Sequence, residues 1–342
     1  MAANLLNRDV QVGLEMAWHG QTLVVPEVKF EEAFPYEIER HPLPPLEGWS
    51  YFKCSDDGKP VGIPVRDSYT ALENKRFWEI VQNAVGGSGA TVESAGTLFD
   101  RCRRFITVKL NTEMDDFKVG DRHFKNRFSL LDSIDSSTNF YGVNSNTCVV
   151  CSNTFAVVMG DKSGEFNFKL KHSKGMLPKI ENMEKAIDSF VGASAQFKKA
   201  LSIANSMEVK TADARALFAG WAASSEGAMS KRTYNVVGRI TDLFLGGAGN
   251  KGETLLDAFS AVTDYYSHES SGGEDQPGFR MKQAMSSEFG SGNRKKQDFF
   301  NSLFVLPKKR QDSPEFNRPS FDSLVENGRR VLAAADAILA AN

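Results

Sequence analysis

Several things are scarce in this 342-residue chain, and each scarcity removes a class of protein. Four cysteines (Cys54, Cys102, Cys148 and Cys151) are too few for a disulfide scaffold. Nowhere do 18 consecutive apolar residues occur, so no membrane-spanning helix is expected. The opening "MAANLLNRDVQVGLEMAWHG" has no basic stretch followed by an apolar run, so a signal peptide is not expected either. The thiols are therefore expected to be reduced, in a cytoplasmic protein. Net charge is also small, at −2. A protein that coats polyanions with its whole surface is excluded, and any nucleic-acid binding has to come from a local basic patch.

Catalytic signatures are missing as well. No serine sits in a G-x-S-x-G elbow, and no carboxylates or histidines follow D-x-D-x-D or H-E-x-x-H spacing. The loop "GGAGNKGET" (246–254) has Lys251 before Gly252, the reverse of the order a phosphate-binding P-loop requires. The pair Cys148-x-x-Cys151 lies in a strand-like run, where residues three apart point to opposite faces. A structural zinc site needs four ligands, and neither Cys54, Cys102 nor any histidine pair supplies the other two. The cysteines read as ordinary small apolar residues. Enzymatic activity is unsupported, and no cofactor or metal is expected.

What is present is a change of pattern along the chain. Residues 1–60 mix a short apolar run with the proline cluster "HPLPPLEGW", which reads as an extended segment or connector. Between about 91 and 173, β-rich runs such as "RRFITVKL" and "NRFSLLDSI" alternate with short polar turns, which predicts an antiparallel sheet. Before it, Leu72, Phe77, Ile80, Val81 and Val85 have helical spacing. From 177 onward the period is helical, with an apolar stripe from Leu177 to Leu201 and further helices over about 211–223, 231–245, 253–268 and 279–304. Strands first and helices later predict an α+β fold with a core at 61–305. A charged linker and an amphipathic helix follow over 306–342. Ser320 is the expected cap, and Phe321, Leu324, Leu332 and Leu339 are expected to dock on the chain's own core or on a second subunit.

The most charged stretch runs from 101 to 128 and interleaves basic residues with phenylalanines. Single-strand nucleic-acid binding uses this combination, cations for phosphates and rings for stacked bases. The candidate residues are Arg103, Arg104, Phe105, Lys125, Arg127 and Phe128, joined by Lys169 and Lys171 from "FKLKHSKG". The alternative is a solvated, salt-bridged sheet edge, since Glu113, Asp115, Asp116 and Asp121 lie among them.

An ordered series of segments also resembles the DUF932 family of phage- and plasmid-borne proteins of unassigned function. It includes "AWHGQTLV", "YTALENKRFWEIV", "VESAGTLFDRCRRF", "CVVCSNTF", "FKLKHSKGM" and "EFGSGNRKKQDFFNSL", and covers roughly 17 to 305. Cys151, Asn153 and Thr154 match the family's Arg-Val-Val-Cys-x-Asn-Thr-Leu segment, while Cys148 stands where an arginine is usual. "DSIDSST" lacks the histidine of the family's Ser-His-Asp-Gly-Ser, and Lys171 and Ser173 depart from its Arg-His-Thr. The resemblance implies a mobile-element setting and two classes of function. One is a non-catalytic DNA-transaction protein that binds, or anneals, single-stranded DNA as a homo-oligomer, within an infected or plasmid-bearing bacterium. The other is a host-takeover or anti-defence factor that binds a bacterial protein.

Overall fold

The computed structural model of the chain describes residues 8, 11–13, 28–85, 91–109, 116–148, 154–156, 168–180, 184–223, 229–270, 283, 286–287, 290–307 and 312–340. Antiparallel sheets occupy the N-terminal half and helices most of the C-terminal half, an α+β arrangement. The first elements are β1 (Gln11–Gly13), a single turn α1 (Phe30–Ala33), and a three-stranded meander of β2 (Ile38–Pro42), β3 (Trp49–Cys54) and β4 (Pro60–Arg66). The proline cluster, expected to be an extended segment or connector, forms the β2–β3 connection of this small sheet. The meander forms because Phe52, Cys54, Val61 and Val65 bury one face together with Ile134, while the intervening residues stay toward solvent.

Helix α2 (Asn74–Val85) leads into the large sheet: β5 (Thr91–Leu98), β6 (Arg103–Lys109), β7 (Asp116–Val119), β8 (Arg122–Ser133), β9 (Phe140–Cys148), β10 (Thr154–Ala156) and β11 (Phe168–Leu170). Its order is β1-β5-β6-β8-β9-β10, with β7 on β8 and β11 on β9, and every pairing is antiparallel. Phe77, Ile80 and Val81 of α2 pack onto Ile106, Val108, Phe128, Leu130 and Phe140, as their helical spacing predicts. Cys148 pairs across the ladder with Phe124, and Cys151 lies outside the described residues.

The helical half comprises α3 (Met176–Ile180), α4 (Glu184–Ser206), α5 (Thr211–Ala222), α6 (Lys231–Gly246), α7 (Leu255–Asp264) continuing into a π-helical turn (Tyr265–Glu269), and α8 (Ser291–Leu303). The apolar stripe that begins at Leu177 is thus divided between α3 and α4. Ser230 caps α6, and Thr254 with Asp257 forms a capping box on α7. The 246–254 loop is closed by Arg122 at the start of β8. Its guanidinium donates to the Gly249 and Leu256 carbonyls and Asn250 Oδ1 and pairs with Asp257. The same Asp257 carboxylate accepts from the Glu253 and Thr254 amides, so one group caps a helix and joins it to the sheet.

The chain ends with the two-stranded β12 (Phe304–Val305) and β13 (Glu315–Phe316), then α9 (Arg318–Ala340). Asn317, not Ser320, caps α9: its Oδ1 accepts from the Ser320 amide at 3.2 Å. The helix lies in cis against α5, with Phe321, Leu324 and Leu332 at the core, whereas Leu339 is exposed. Two glycines set this approach. A Cβ on Gly220 would fall 1.9 Å from the Leu324 carbonyl oxygen, and one on Gly328 would fall 1.7 Å from that of Ala216. The backbones therefore touch, and no flexible side chain is present to give way. Gly328→Ala is expected to destabilise the fold by about 1–3 kcal/mol, read as a lower urea midpoint, while Ala333→Gly on the exposed side costs about 1 kcal/mol or less. Equal effects of the two changes would show that this close approach does not hold α9 in place.

Candidate nucleic-acid interface

Strand alternation decides what becomes of the basic residues. Arg103 and Arg104 are neighbours on β6, so they point to opposite faces. Arg104 points inward and is fully buried. It forms an ion pair with Asp132, its partner across the β6–β8 ladder, donates to Asn74 Oδ1 at 2.9 Å, and lies over the Phe77 ring. Burial alone would raise the Asp132 carboxyl, but the Arg104 charge, and then His172, hold it below the ordinary carboxylate range. His172 Nε2 lies 3.2 Å from Asp132 Oδ1, near enough for charge attraction though off the hydrogen-bond direction. Its Nδ1 faces the Thr70 carbonyl at 3.1 Å, and its ring meets that of Tyr69 at a tilt, with centroids 4.8 Å apart.

The expected stacking rings are also in the core. Phe105 and Phe128 are each 1% exposed, because β8 is buried on both faces from Asn126 to Ser133. No base can reach them, and Arg104 cannot meet a phosphate. Arg127 is tied to Glu93 through Nε at 2.5 Å and through a second nitrogen at 2.9 Å. Lys125 is half-buried and faces Asp116 across the β7–β8 ladder. Burial lowers its pKa, with the Arg127 charge adding to the shift. These two lie along β8 away from Ser133, the partner of Arg103, about 20 Å (Arg127) and about 27 Å (Lys125) along the strand at the usual rise per residue.

Arg103 and Lys169, by contrast, come together. Arg103 pairs with Ser133 on β8, and Lys169 pairs with Tyr141 on β9, itself opposite Leu131. All face the same side at one end of the sheet. Arg103 lies over the Phe99 ring, 4.6 Å from its centroid, and Lys169 Nζ lies 5.5 Å from that of Tyr141. Both rings are half-buried on a floor of Leu98, Phe105 and Leu131. Ser137 accepts from Arg103 Nε at 3.2 Å, which steadies the guanidinium over the ring. Burial lowers the pKa of Arg103, offset in part by Asp135, Cys102 and Tyr141. Among the described residues, no carboxylate lies in ion-pair range of Arg103, Lys169 or the exposed Lys171. Phe99 reaches its position because Phe99, Asp100 and Arg101 are three successive residues with left-handed φ, of 57°, 59° and 68°. Such a run is strained for side-chain-bearing residues. It is held by Arg8 on Asp100 and by Arg101 on Asp56.

Cys54, Asp56 and Asp57 approach one another closely, yet Asp56 is paired with Arg101 and Asp57 with Arg8 and Arg101. Burial also raises the Cys54 thiol pKa, away from the thiolate a metal needs.

The β6–β8–β9 ladder, the Arg104–Asp132 pair and the Arg103 cluster all fall inside residues 64–302, which match the model of DUF932, a domain of unknown function. The chain belongs to the DUF932 family. Among curated proteins, and among solved structures, nothing matches it. Among the described residues of this DUF932 protein, no helix is long and apolar enough to cross a membrane.

Two residues of the cluster, Phe99 and Tyr141, were not expected from the sequence. Tyr141 carries the faint signal of a polar-tipped ring in a strand, and Phe99 carries none, since its position depends on the left-handed turn. The Asp132–His172 contact links residues 40 apart in no recognisable spacing. Asp132→Asn is expected to leave Arg104 unpaired and cost about 3–5 kcal/mol at neutral pH. Because the folded pKa of Asp132 is depressed, its contribution is complete above the ordinary value near ~3.9 and is lost as pH falls through the folded pKa. Urea melts across pH should therefore show the gap between variant and wild type narrowing below roughly pH 4. A gap independent of pH would refute the ionised pair.

Proposed function

We propose that this DUF932 protein binds single-stranded nucleic acid, single-stranded DNA in the setting of a phage or plasmid, without catalysing a reaction. One observation carries this reading: two cations without carboxylate partners lie over two half-buried rings on one face of the large sheet. Arg103, Lys169 and Lys171 serve the phosphates, and Phe99 and Tyr141 serve the bases. Phosphates need cations that are not already neutralised, and bases need rings whose faces reach solvent. Arg104, Arg127, Phe105 and Phe128 fail one or the other condition. The near-neutral total charge confines affinity to the patch, since no general positive field supports it. Annealing by a homo-oligomer is the DNA transaction that fits a protein with this patch and no recognisable catalytic motif.

Titration of a fluorescent single-stranded oligonucleotide at several salt concentrations tests the proposal. Arg103→Ala combined with Lys169→Ala should weaken binding and lower the slope of log K on log salt by about 0.7 for each phosphate that is no longer neutralised. Tyr141→Ala should cost about 1–3 kcal/mol with little change in slope. Lys210→Ala, an exposed lysine on the helical half, should change neither. No binding by the wild type at low salt would end this reading in favour of a protein partner.

A further inference from the structure

We infer that the outer face of the small sheet is a second stacking platform for the same single strand, an inference that rests on the nucleic-acid reading above. In β3 the residues alternate strictly: Ser50, Phe52 and Cys54 are buried, while Trp49, Tyr51 and Lys53 point outward and are half-exposed. The ladders place His41 opposite Tyr51 and Arg66 opposite Trp49. The Arg66 guanidinium lies 4.2 Å from the Trp49 ring centroid, Lys53 Nζ lies 5.4 Å from that of Tyr51, and the His41 ring is 5.6 Å from Tyr51. Ile63 adds an exposed apolar side chain to the same meander. Among the described residues, Glu39 pairs with His41, and neither Lys53 nor Arg66 has a carboxylate within ion-pair range. The arrangement of cations over rings seen at Arg103 and Lys169 is thus found again on the outer face of the small sheet, where Glu39 faces Lys53 across the β2–β3 ladder.

One loop connects the two places. Asp135 Oδ2 accepts from the Ile63 amide at 3.3 Å, and its Oδ1 accepts from the Ser137 amide at 3.0 Å. Ser137 in turn holds Arg103. The approach of β4 to this loop is as close as a backbone allows. Gly62 has φ of +63°, and a Cβ there would fall 2.3 Å from Asp135 Oδ2. The small sheet is therefore anchored to the loop that orients the first patch. Charge and ring chemistry together favour a nucleic-acid strand over a peptide here, because the cations serve phosphates while a proline-rich peptide needs only the rings.

The test uses the full chain and oligothymidylates of roughly 6 and roughly 20 nucleotides, bracketing the usual footprint of a single-strand-binding fold. The chain has four tryptophans, Trp18, Trp49, Trp78 and Trp221, so a quench of tryptophan emission on binding is assigned to Trp49 by its loss in Trp49→Phe. The longer oligonucleotide is expected to quench emission. Trp49→Phe should bind it with near wild-type affinity but without the quench. Trp49→Ala with Tyr51→Ala should weaken binding of the longer oligonucleotide about tenfold, with an unchanged circular dichroism spectrum. Binding that depends on Arg103 and Lys169 but is indifferent to Trp49 and Tyr51, with no quench, would overturn this inference and leave the first patch standing. Quenching by a proline-rich peptide and not by oligonucleotide would overturn it as well, and absence of any oligonucleotide binding would remove both readings together.

Discussion

The buried ion pair of Arg104 and Asp132 is the constraint around which the N-terminal half is arranged. It sits at a matched position on two neighbouring strands, so it fixes the β6–β8 register. Charges in a dry interior must be matched on every side, and the matching groups come from far along the chain. Asn74 at the start of α2 meets the guanidinium, and His172 beyond β11 approaches the carboxylate. Asn74 also donates to the Tyr36 carbonyl at 2.6 Å, and Tyr69, in ring contact with His172, donates to the Ser133 carbonyl at 2.7 Å. Slipping one strand by one residue would turn the pair to the other face and leave all of these groups unsatisfied.

The two halves are joined by similar means at the other end of β8. Arg122 meets carbonyls, an amide oxygen and a carboxylate of the α6–α7 region, more than a hundred residues away. Strand β8 thus carries an arginine contact at its first residue and the Asp132 contact near its last, and both of its faces are covered from Asn126 onward. Its basic residues are mainly structural for that reason. Arg103, Arg66 and the lysines Lys53 and Lys169 are used differently: they lie over rings, and no carboxylate among the described residues lies in ion-pair range of them.

The strained turn at Phe99–Arg101 belongs to the same logic. Three residues in left-handed conformation persist only where neighbours over-determine them, and here Arg8, Asp56 and the Arg103–Phe99 stack do so. The turn presents Phe99 beside Arg103 instead of continuing the β5 alternation, which would have sent the ring elsewhere.

Periodicity and composition by themselves determined the α+β order of elements, the antiparallel large sheet, the apolar face of α2 and most of the helices of the C-terminal half. These depend on local spacing and on the burial of one face, both written in neighbouring residues. The small sheet was hidden, because its first strand ends in the proline cluster and its alternation begins only at Trp49. Choosing between Arg103 and Arg104, or between Phe99 and Phe105, required the tertiary structure. A strand pattern shows that adjacent side chains diverge, but whether a second layer covers the outer face depends on segments distant in sequence. Whether a cation is neutralised depends, in the same way, on which carboxylate the fold brings within a few ångströms of it, and no local spacing records that.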